Sequence, residues 1–231
     1  MTIKDTIRKY TNELKLVTHI PAKEVEILML HLLEKNTIWL HLNYNVEFEK
    51  EKELEVLVKK RATNYPLEYI INKASFYGEM FIVKEGVLIP RPETEILVEN
   101  AIEILKDKKE IKVLEIGTGS GIISVMLAML IENIKIIAVD INEKALDLAK
   151  QNAIKHGVEN KIEFRLSNLY ENVQENDIFM TISNPPYIAN NYILPTNVKY
   201  EPSNALFGGV VGDELLKDII KATSEKKIPY L

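Results

Sequence analysis

The sequence predicts an α/β protein in which a small all-α N-terminal domain and a β-hairpin linker precede a doubly wound parallel sheet. Three observations support this fold class. Residues 1–72 carry only helical periodicity, residues 73–91 contain short extended segments, and residues 92–231 alternate apolar strands with helices. Alternation of this kind favours a parallel sheet with helices on both faces.

The N-terminal domain is predicted to contain five short helices. Pro21 opens the second, because proline is favoured in a first helical turn. The predicted segments are Thr2–Lys15, the helix after Pro21, Thr37–Leu42, Glu49–Arg61 and Leu67–Ile71. Residues 1–80 hold 12 basic and 12 acidic side chains, so this part is not an electropositive clamp for nucleic acid. A substrate-recruiting role and a merely stabilising role both remain open for it.

The linker and the sheet domain follow in order. Ser75–Val83 and Val87–Ile89 have extended patterns with glycines at the turn points, and a helix is predicted to begin at Arg91 and to end near Leu105. The predicted strands of the sheet are Lys112–Ile116, Lys135–Val139, Lys161–Leu166 and Asp177–Ser183, and the predicted helices are Gly121–Ile131, Glu143–His156 and Asp213–Lys226. Ile228–Leu231 is predicted to start a fifth strand.

Composition excludes several kinds of chemistry. The chain has 231 residues, no Cys and a net charge of −5. The absence of Cys rules out disulfides, thiolate metal sites and Cys nucleophiles. The net negative charge makes the chain a poor electrostatic match for long stretches of phosphate. The four His residues lack metal-ligand spacing, so no metal site is expected. Because no leader or apolar run of transmembrane length is recognisable, we expect a soluble, cytoplasmic protein with no membrane partner.

A glycine-rich turn marks the end of the first strand of the sheet. The run Glu115–Gly121 reads E-I-G-T-G-S-G, and Asp140 ends the next strand. Glycines allow a tight turn on which a ligand lies against bare backbone, and an acid at the neighbouring strand end accepts both hydroxyls of a ribose. The pattern indicates a nucleoside-containing cofactor. The third glycine comes one residue too early for the dinucleotide fingerprint. The alternative is a glycine-rich turn of some other α/β enzyme, because motifs of this size also occur by chance.

A polar tetrapeptide, Asn184-Pro185-Pro186-Tyr187, follows the fourth strand. In a sheet of order 3-2-1-4, strands one and four are neighbours, so Asn184 and the glycine turn meet at one edge. The Asn184 side-chain oxygen and the Pro185 carbonyl can accept the two N–H groups of a planar, weakly nucleophilic nitrogen. Pro186 holds that carbonyl, and Tyr187 can lie flat on the planar group. The alternative is a plain Pro-Pro turn after a strand.

These two motifs resemble motifs I and IV of S-adenosylmethionine-dependent amino-methyltransferases. Within that class the chain resembles the HemK-like release-factor glutamine N5-methyltransferases over roughly residues 66–215. The stretches that carry the resemblance are Pro66–Tyr69 with Phe76–Gly78, Leu88–Glu95, the glycine turn, Ser183–Ile188, and Tyr200–Pro202 with Ala205–Gly209. Leu88–Glu95, which reads L-I-P-R-P-E-T-E, is the most specific, because generic adenine methyltransferases lack it.

The resemblance implies a Rossmann-like class I methyltransferase sheet, S-adenosylmethionine as cofactor and S-adenosylhomocysteine as product. The implied substrate is the glutamine of the GGQ tripeptide in class 1 peptide chain release factors, with no stable nucleic-acid binding. The implied catalytic residues are Asn184, Pro185, Pro186 and Tyr187, and the implied cofactor-binding residues are Glu115, Gly117, Thr118, Gly119, Ser120, Gly121, Asp140, Asn168, Leu169 and Asn184.

The resemblance leaves the roles of several residues open. The family usually has Ser-Asp where this chain has Ser167-Asn168, although an Asn oxygen can still accept from an adenine amino group. Arg91–Glu93 and Glu201 could border the substrate channel. Equally, Arg91 could form an ion pair beside a helix start, and Glu201 could stabilise a loop.

The class has seven strands, whereas this sequence supplies four and the start of a fifth. The resemblance therefore implies a sheet truncated after strand four, with the C-terminal strands missing. An uncovered sheet edge would make such a chain less stable, prone to self-association and weakly active. Two alternatives to glutamine methylation remain: N6-adenine methylation of DNA or RNA, which shares the NPPY tetrad, and a non-catalytic cofactor-binding protein.

Overall fold

A computed structural model describes residues 1–231 and divides them into two compact units. The first unit comprises Met1–Asn72 and Pro195–Tyr200, and the second comprises Lys73–Leu194 and Glu201–Leu231. The first unit contains α1 (Ile3–Leu14), α2 (Pro21–Leu33), α3 (Thr37–Leu42), α4 (Glu51–Ala62) and α5 (Leu67–Ile71). The mixed α/β fold class with an N-terminal helical region is confirmed.

The helical unit is built around α1, which packs against α2 and α4. Thr2 caps α1 by accepting the Asp5 backbone N–H through its hydroxyl, at 3.1 Å. Arg61 forms a buried, bidentate pair with Glu24, at 2.6 and 3.1 Å, which satisfies two charges inside the helix cluster.

A late segment of the chain, Pro195–Tyr200, also belongs to this helical unit. The Tyr200 hydroxyl donates to the Thr63 carbonyl at 3.0 Å, and its ring packs edge-on against Tyr65. Sequence patterns gave no sign of this return, because the segment lies more than 100 residues beyond the helices it joins.

The second unit contains the sheet and its flanking helices. Its elements are β1 (Lys73–Phe76), β2 (Glu79–Ile82), α6 (Thr94–Leu105), β3 (Ile111–Ile116), α7 (Ile122–Leu130), β4 (Ile134–Asp140), α8 (Glu143–Lys155), β5 (Ile162–Leu166), β6 (Met180–Ser183), β7 (Ile188–Ala189), β8 (Phe207–Gly209) and α9 (Glu214–Glu225). None of the nine helices of the structure combines the length and apolar character that a membrane span requires.

The main sheet has four parallel strands in the order β5-β4-β3-β6. This is the predicted 3-2-1-4 order, and it is confirmed. Successive residues of β3 alternate between two cores: Val113 packs on one side of the sheet and Leu114 on the other. Both faces are therefore covered, and the open carboxyl edge is left for a ligand.

The hairpin β1–β2 is antiparallel and turns at Tyr77-Gly78. Phe76 and Phe81 from its two strands are buried in the same core as the sheet residues, so the hairpin is an integral part of the sheet unit rather than a free-standing linker. The predicted extended segment Val87–Ile89 is wrong as a strand. No strand pairs with it, and Val87 is instead buried against α8.

Two further differences concern element ends. Helix α6 begins at Thr94 rather than Arg91, because Arg91–Glu93 form a turn in which the Thr94 N–H donates to the Arg91 carbonyl. The predicted fifth strand is present as a single parallel bridge between Tyr230 and Met180, in which the Thr181 N–H donates to the Tyr230 carbonyl at 2.9 Å.

Candidate active site

A cleft lies at the carboxyl edge of the sheet. Its walls are mostly apolar with a few polar groups, as in small-molecule sites. It is lined by Gly86, Val87, Leu88, Ile116, Gly117, Gly119, Asp140, Ile141, Asn142, Ala145, Ser167, Asn168, Leu169, Asn184, Pro186, Pro202, Asn204, Ala205 and Leu215. A smaller neighbouring cavity shares Leu88, Gly117, Gly119 and Asn184 with it, and adds Thr94, Glu115, Thr118 and Ser120.

The glycine turn between β3 and α7 forms one wall. The N–H groups of Gly117 and Thr118 both donate to the Val139 carbonyl, at 2.9 and 3.0 Å, which ties the turn to β4. Gly121 has φ +80°, and a Cβ there would lie 2.8 Å from the Ala149 Cβ on α8. Gly121 is thus required for helix packing and does not line either cavity.

Asp140 sits where β4 ends. One carboxylate oxygen accepts from the Gly119 N–H and the other from the Asn142 N–H, each at 2.9 Å. Burial raises the pKa of this carboxyl, while the hydrogen bonds from Gly119 and Asn142 oppose the shift. Asp140 lines the cleft, and each of its oxygens can accept a further hydrogen bond, as a pair of ribose hydroxyls would require.

Glu115 lies on the floor of the smaller cavity and is only 1% exposed. Its Oε2 accepts from the Thr118 hydroxyl at 2.7 Å and from both the backbone N–H and the hydroxyl of Ser124. Its Oε1 is buried without a partner. Burial raises the pKa of the Glu115 carboxyl to about 7, against the lowering effect of the hydrogen bonds from Ser124 and Thr118.

Asn168 and Leu169 lie together on the cleft wall after β5. The Asn168 side-chain Nδ2 donates to the Glu171 carboxylate at 2.9 Å. Because its nitrogen is held in this way, the amide oxygen remains available as an acceptor.

Only two residues of the tetrapeptide after β6, Asn184 and Pro186, line the cleft. Asn184 lines both cavities and so joins the glycine turn and Asp140 at one edge, as predicted from strand order. Its Nδ2 donates to the Thr94 hydroxyl oxygen at 2.9 Å. Pro186 lines the cleft, whereas Pro185 lines neither cavity and Tyr187 is 68% exposed.

A two-stranded pairing, β7 with β8, braces the backbone of this tetrapeptide. The Ile188 N–H donates to the Leu206 carbonyl at 3.0 Å. A Cβ at Gly208 would collide with the Pro186 and Gly212 carbonyl oxygens, so no larger residue fits between the two segments. This bracing was not predicted, although the A-L-F-G-G run had been noted within the resemblance.

Arg91 and Glu201 pair with each other. The Arg91 guanidinium donates to Glu201 Oε1 at 2.5 Å, and the Ile89 backbone N–H donates to Glu201 Oε2 at 2.9 Å. Glu201 lines neither cavity, so its contacts are those of a loop-stabilising carboxylate. Arg91 does border the smaller cavity while forming this ion pair.

Several lining residues escaped sequence reasoning. Thr94 lies inside the stretch Leu88–Glu95, but its contact with Asn184 spans 90 residues. The cleft is also lined by Pro202, Asn204 and Ala205, which belong to a short 3-10 helix and its N-cap residue and show no periodic sequence pattern. Ile141 offered a usable signal, because it directly follows Asp140, the predicted ribose acid.

The donors and acceptors fit a nucleoside joined to an amino acid. Asp140 and Asn168 lie along the larger cleft with free acceptor capacity. The unpartnered Glu115 Oε1 marks a place for a cationic group, because a buried carboxylate oxygen without a donor is costly. No three His, Asp or Glu side chains in the structure are arranged to hold a metal ion.

Comparisons with known proteins agree with this reading of the two units. Residues 5–71 match the model of the PrmC N-terminal domain, and residues 93–198 match that of the methyltransferase small domain. Among solved structures, the catalytic domain of hMettl16 covers 63% of this chain and 57% of its own, with 16% identity and a TM-score of 0.49, a likeness too low to carry an argument.

Three curated relatives bear the name release factor glutamine methyltransferase. The protein of Dictyoglomus turgidum is 42% identical over 85% of this chain and 71% of its own length. That of Fusobacterium nucleatum is 37% identical over 89% of this chain and 60% of its own, and that of Enterococcus faecalis is 40% identical over 80% and 67%. This chain therefore spans about 60–71% of the length of these relatives.

Proposed function

This chain belongs to the release factor glutamine methyltransferase family, and we propose that it methylates the side-chain amide nitrogen of a release-factor glutamine. The methyl donor is S-adenosylmethionine, and the target is the glutamine of the GGQ tripeptide in class 1 factors. The observation that carries the proposal is the position of Asn184. It lines the cleft built by the glycine turn and Asp140, and its nitrogen is held by Thr94.

The cofactor half of the cleft is proposed to hold three parts of one molecule. Asp140 accepts the ribose hydroxyls, Asn168 Oδ1 accepts the adenine amino group, and Glu115 Oε1 faces the ammonium of the methionine part. Gly117 and Gly119 expose bare backbone between these groups. When bound, S-adenosylmethionine supplies an electrophilic methyl group, and S-adenosylhomocysteine is the product that leaves.

The acceptor half supplies orientation rather than a base. An amide nitrogen is planar and weakly nucleophilic, because its lone pair is conjugated with the carbonyl. Asn184 Oδ1 and the Pro185 carbonyl accept its two N–H groups and stabilise the positive charge that grows on nitrogen. One of these N–H protons is lost to solvent as the new N–C bond forms. Tyr187, which is exposed in the free protein, packs on the amide plane when the acceptor enters.

The helical unit is proposed to recruit the release factor. Its support is the match of residues 5–71 to the PrmC N-terminal domain, a unit separate from the one that holds the cleft. Recruitment predicts that intact release factor is a far better substrate than a short GGQ peptide, with the difference in KM. Equal KM values for the two would favour the alternative of a merely stabilising extension. We place the reaction in the cytoplasm with no stable nucleic-acid partner.

The test is transfer of labelled methyl from S-adenosylmethionine to purified, unmethylated release factor, with DNA and RNA as parallel acceptors. Asn184→Ala is the control, and calorimetry with S-adenosylhomocysteine shows whether each variant still binds cofactor. Label on the GGQ glutamine that is lost in the variant is the expected result. Label on nucleic acid would replace the proposal with adenine methylation. Cofactor binding without label on any acceptor would contradict it in favour of a non-catalytic role.

A further inference from the structure

The structure connects the start of helix α6 to the tetrapeptide after β6 through one hydrogen bond. Asn184 Nδ2 donates to the Thr94 hydroxyl oxygen at 2.9 Å, and Thr94 is only 4% exposed. We propose that Thr94 is a positioning residue that fixes where the Asn184 side-chain amide lies, with Nδ2 on the Thr94 hydroxyl and the amide oxygen left to accept from the target nitrogen. This inference rests on the proposed function and deepens it.

The polarity of the Asn184 amide decides whether the site can work. An asparagine amide has an acceptor oxygen on one side and two N–H donors on the other. The proposed target nitrogen carries N–H groups, which need acceptors. A flipped Asn184 would present donors to donors, so only the orientation with Nδ2 on Thr94 is productive.

The Thr94 hydroxyl has no competing structural task. The residue before it, Glu93, is the N-cap of α6, and α6 has no side-chain capping hydrogen bond. Thr94 also lines the smaller cavity beside Glu115 and Asn184. A buried hydroxyl that neither caps its helix nor faces solvent, and that contacts the acceptor-binding amide, is placed to orient that amide.

Contacts on both sides of Thr94 hold the segment that carries it. The Thr94 N–H donates to the Arg91 carbonyl at 3.0 Å, and the Arg91 side chain is paired with Glu201. On the following residue, Glu95 Oε1 accepts from the Tyr77 N–H at 2.7 Å. The Thr94 hydroxyl therefore approaches Asn184 from a rigid support, which gives the Leu88–Glu95 stretch a role in the acceptor half of the cleft.

The experiment compares Thr94→Val, which keeps the shape and removes the hydroxyl, with Thr94→Ser, which keeps the hydroxyl. We expect the Val variant to lose about tenfold in kcat, since one orienting hydrogen bond is gone. Its affinity for S-adenosylhomocysteine and its Tm stay close to wild type, and the Ser variant recovers kcat to within about twofold. A Val variant with wild-type kcat, or a Ser variant that loses as much kcat as the Val variant, overturns the inference.

A second readout does not depend on the acceptor. The side-chain amide signals of Asn184 are identified by NMR as the pair missing from Asn184→Ala. We expect them to exchange with solvent about tenfold faster in Thr94→Val than in wild type, because the hydrogen bond is lost. Unchanged exchange overturns the positioning role. If wild type does not methylate release factor but exchange accelerates as expected, the proposed function fails while the contact stands.

Discussion

The two halves of the cleft are held in different ways. In the proposed cofactor half, the Asp140 carboxylate accepts a hydrogen bond from the Gly119 N–H of the glycine turn. This contact joins adjacent strand ends that are 21 residues apart in the chain. In the acceptor half, Asn184 depends on Thr94, 90 residues away. The first arrangement follows from one β-α-β unit, whereas the second needs the complete sheet unit to be folded.

The halves also differ in charge. The proposed cofactor half contains the buried carboxylate of Glu115 and the half-buried carboxylate of Asp140, whose pKa values are both raised by burial. The proposed acceptor half offers only neutral oxygens, those of the Asn184 amide and the Pro185 backbone carbonyl. Substitutions in the first half should therefore change cofactor affinity and pH dependence, and those in the second should change kcat.

The largest effect is expected from Asp140→Ala, which tests whether cofactor affinity and kcat can be changed separately. It removes both the proposed ribose acceptor and the bond to Gly119, so the Kd for S-adenosylhomocysteine should rise roughly 100-fold, as for two charge-assisted hydrogen bonds. Calorimetry measures the Kd, and kcat is determined at saturating cofactor. A kcat loss as large as the affinity loss would show that the two halves are not separable.

Gly208→Ala is the matching change in the acceptor half. Its Cβ would displace the Pro186 carbonyl, so kcat should fall about 30-fold from misplacement of the tetrapeptide, with cofactor affinity kept. Gly157→Ala serves as control, since Gly157 has φ +70° but open space around it, and the substitution introduces only backbone strain. Equal kcat losses in the two variants would indicate general destabilisation instead.

Glu115→Gln tests the charge of the cofactor half. The folded-state pKa of about 7 lies above the ordinary 4.5, so folding takes up a proton between these values. The contribution of Glu115 to stability is therefore fully present at low pH and is lost as pH rises through about 7. Cofactor affinity should change in the opposite sense, rising up to about tenfold from pH 6 to pH 8 as the carboxylate forms.

Thermal unfolding and calorimetry at the two pH values check both statements. In Glu115→Gln, Tm should increase relative to wild type more at pH 8 than at pH 6. The rise of affinity with pH should disappear. A wild-type pH profile that persists in the Gln variant would assign the dependence to another group.

The smallest effect is expected at Asn168, where the family usually has Asp. Asn168→Asp alone should change the Kd for S-adenosylhomocysteine by at most about threefold, because the new carboxylate would face Glu171 in place of an attractive hydrogen bond. The double variant with Glu171→Gln should bind about threefold tighter than the single Asp variant. Glu171→Gln alone is the control, and an equal gain there would remove the coupling.

Sequence patterns predicted the core of the fold well and its connections poorly. The four strands, their order and the positions of the glycine turn, Asp140 and Asn184 at one edge all follow from periodicity and strand topology. Val87–Ile89, which has an extended pattern, forms no strand, since such a pattern does not reveal whether a neighbouring strand is available to pair with it. The bracing of the tetrapeptide by the β7–β8 pairing was also missed, because the sequence pattern does not reveal that these two short segments pair.

The sequence by itself therefore determined the alternating fold of residues 92–231 and the meeting of the glycine turn, Asp140 and Asn184 at one sheet edge, because those features depend on local pattern and on the order of adjacent strands. Only the tertiary structure decided which way the Asn184 amide points, what Glu201 binds, and that Pro195–Tyr200 joins the helical unit. Each of these depends on a contact between distant segments, and no local periodicity encodes such a contact.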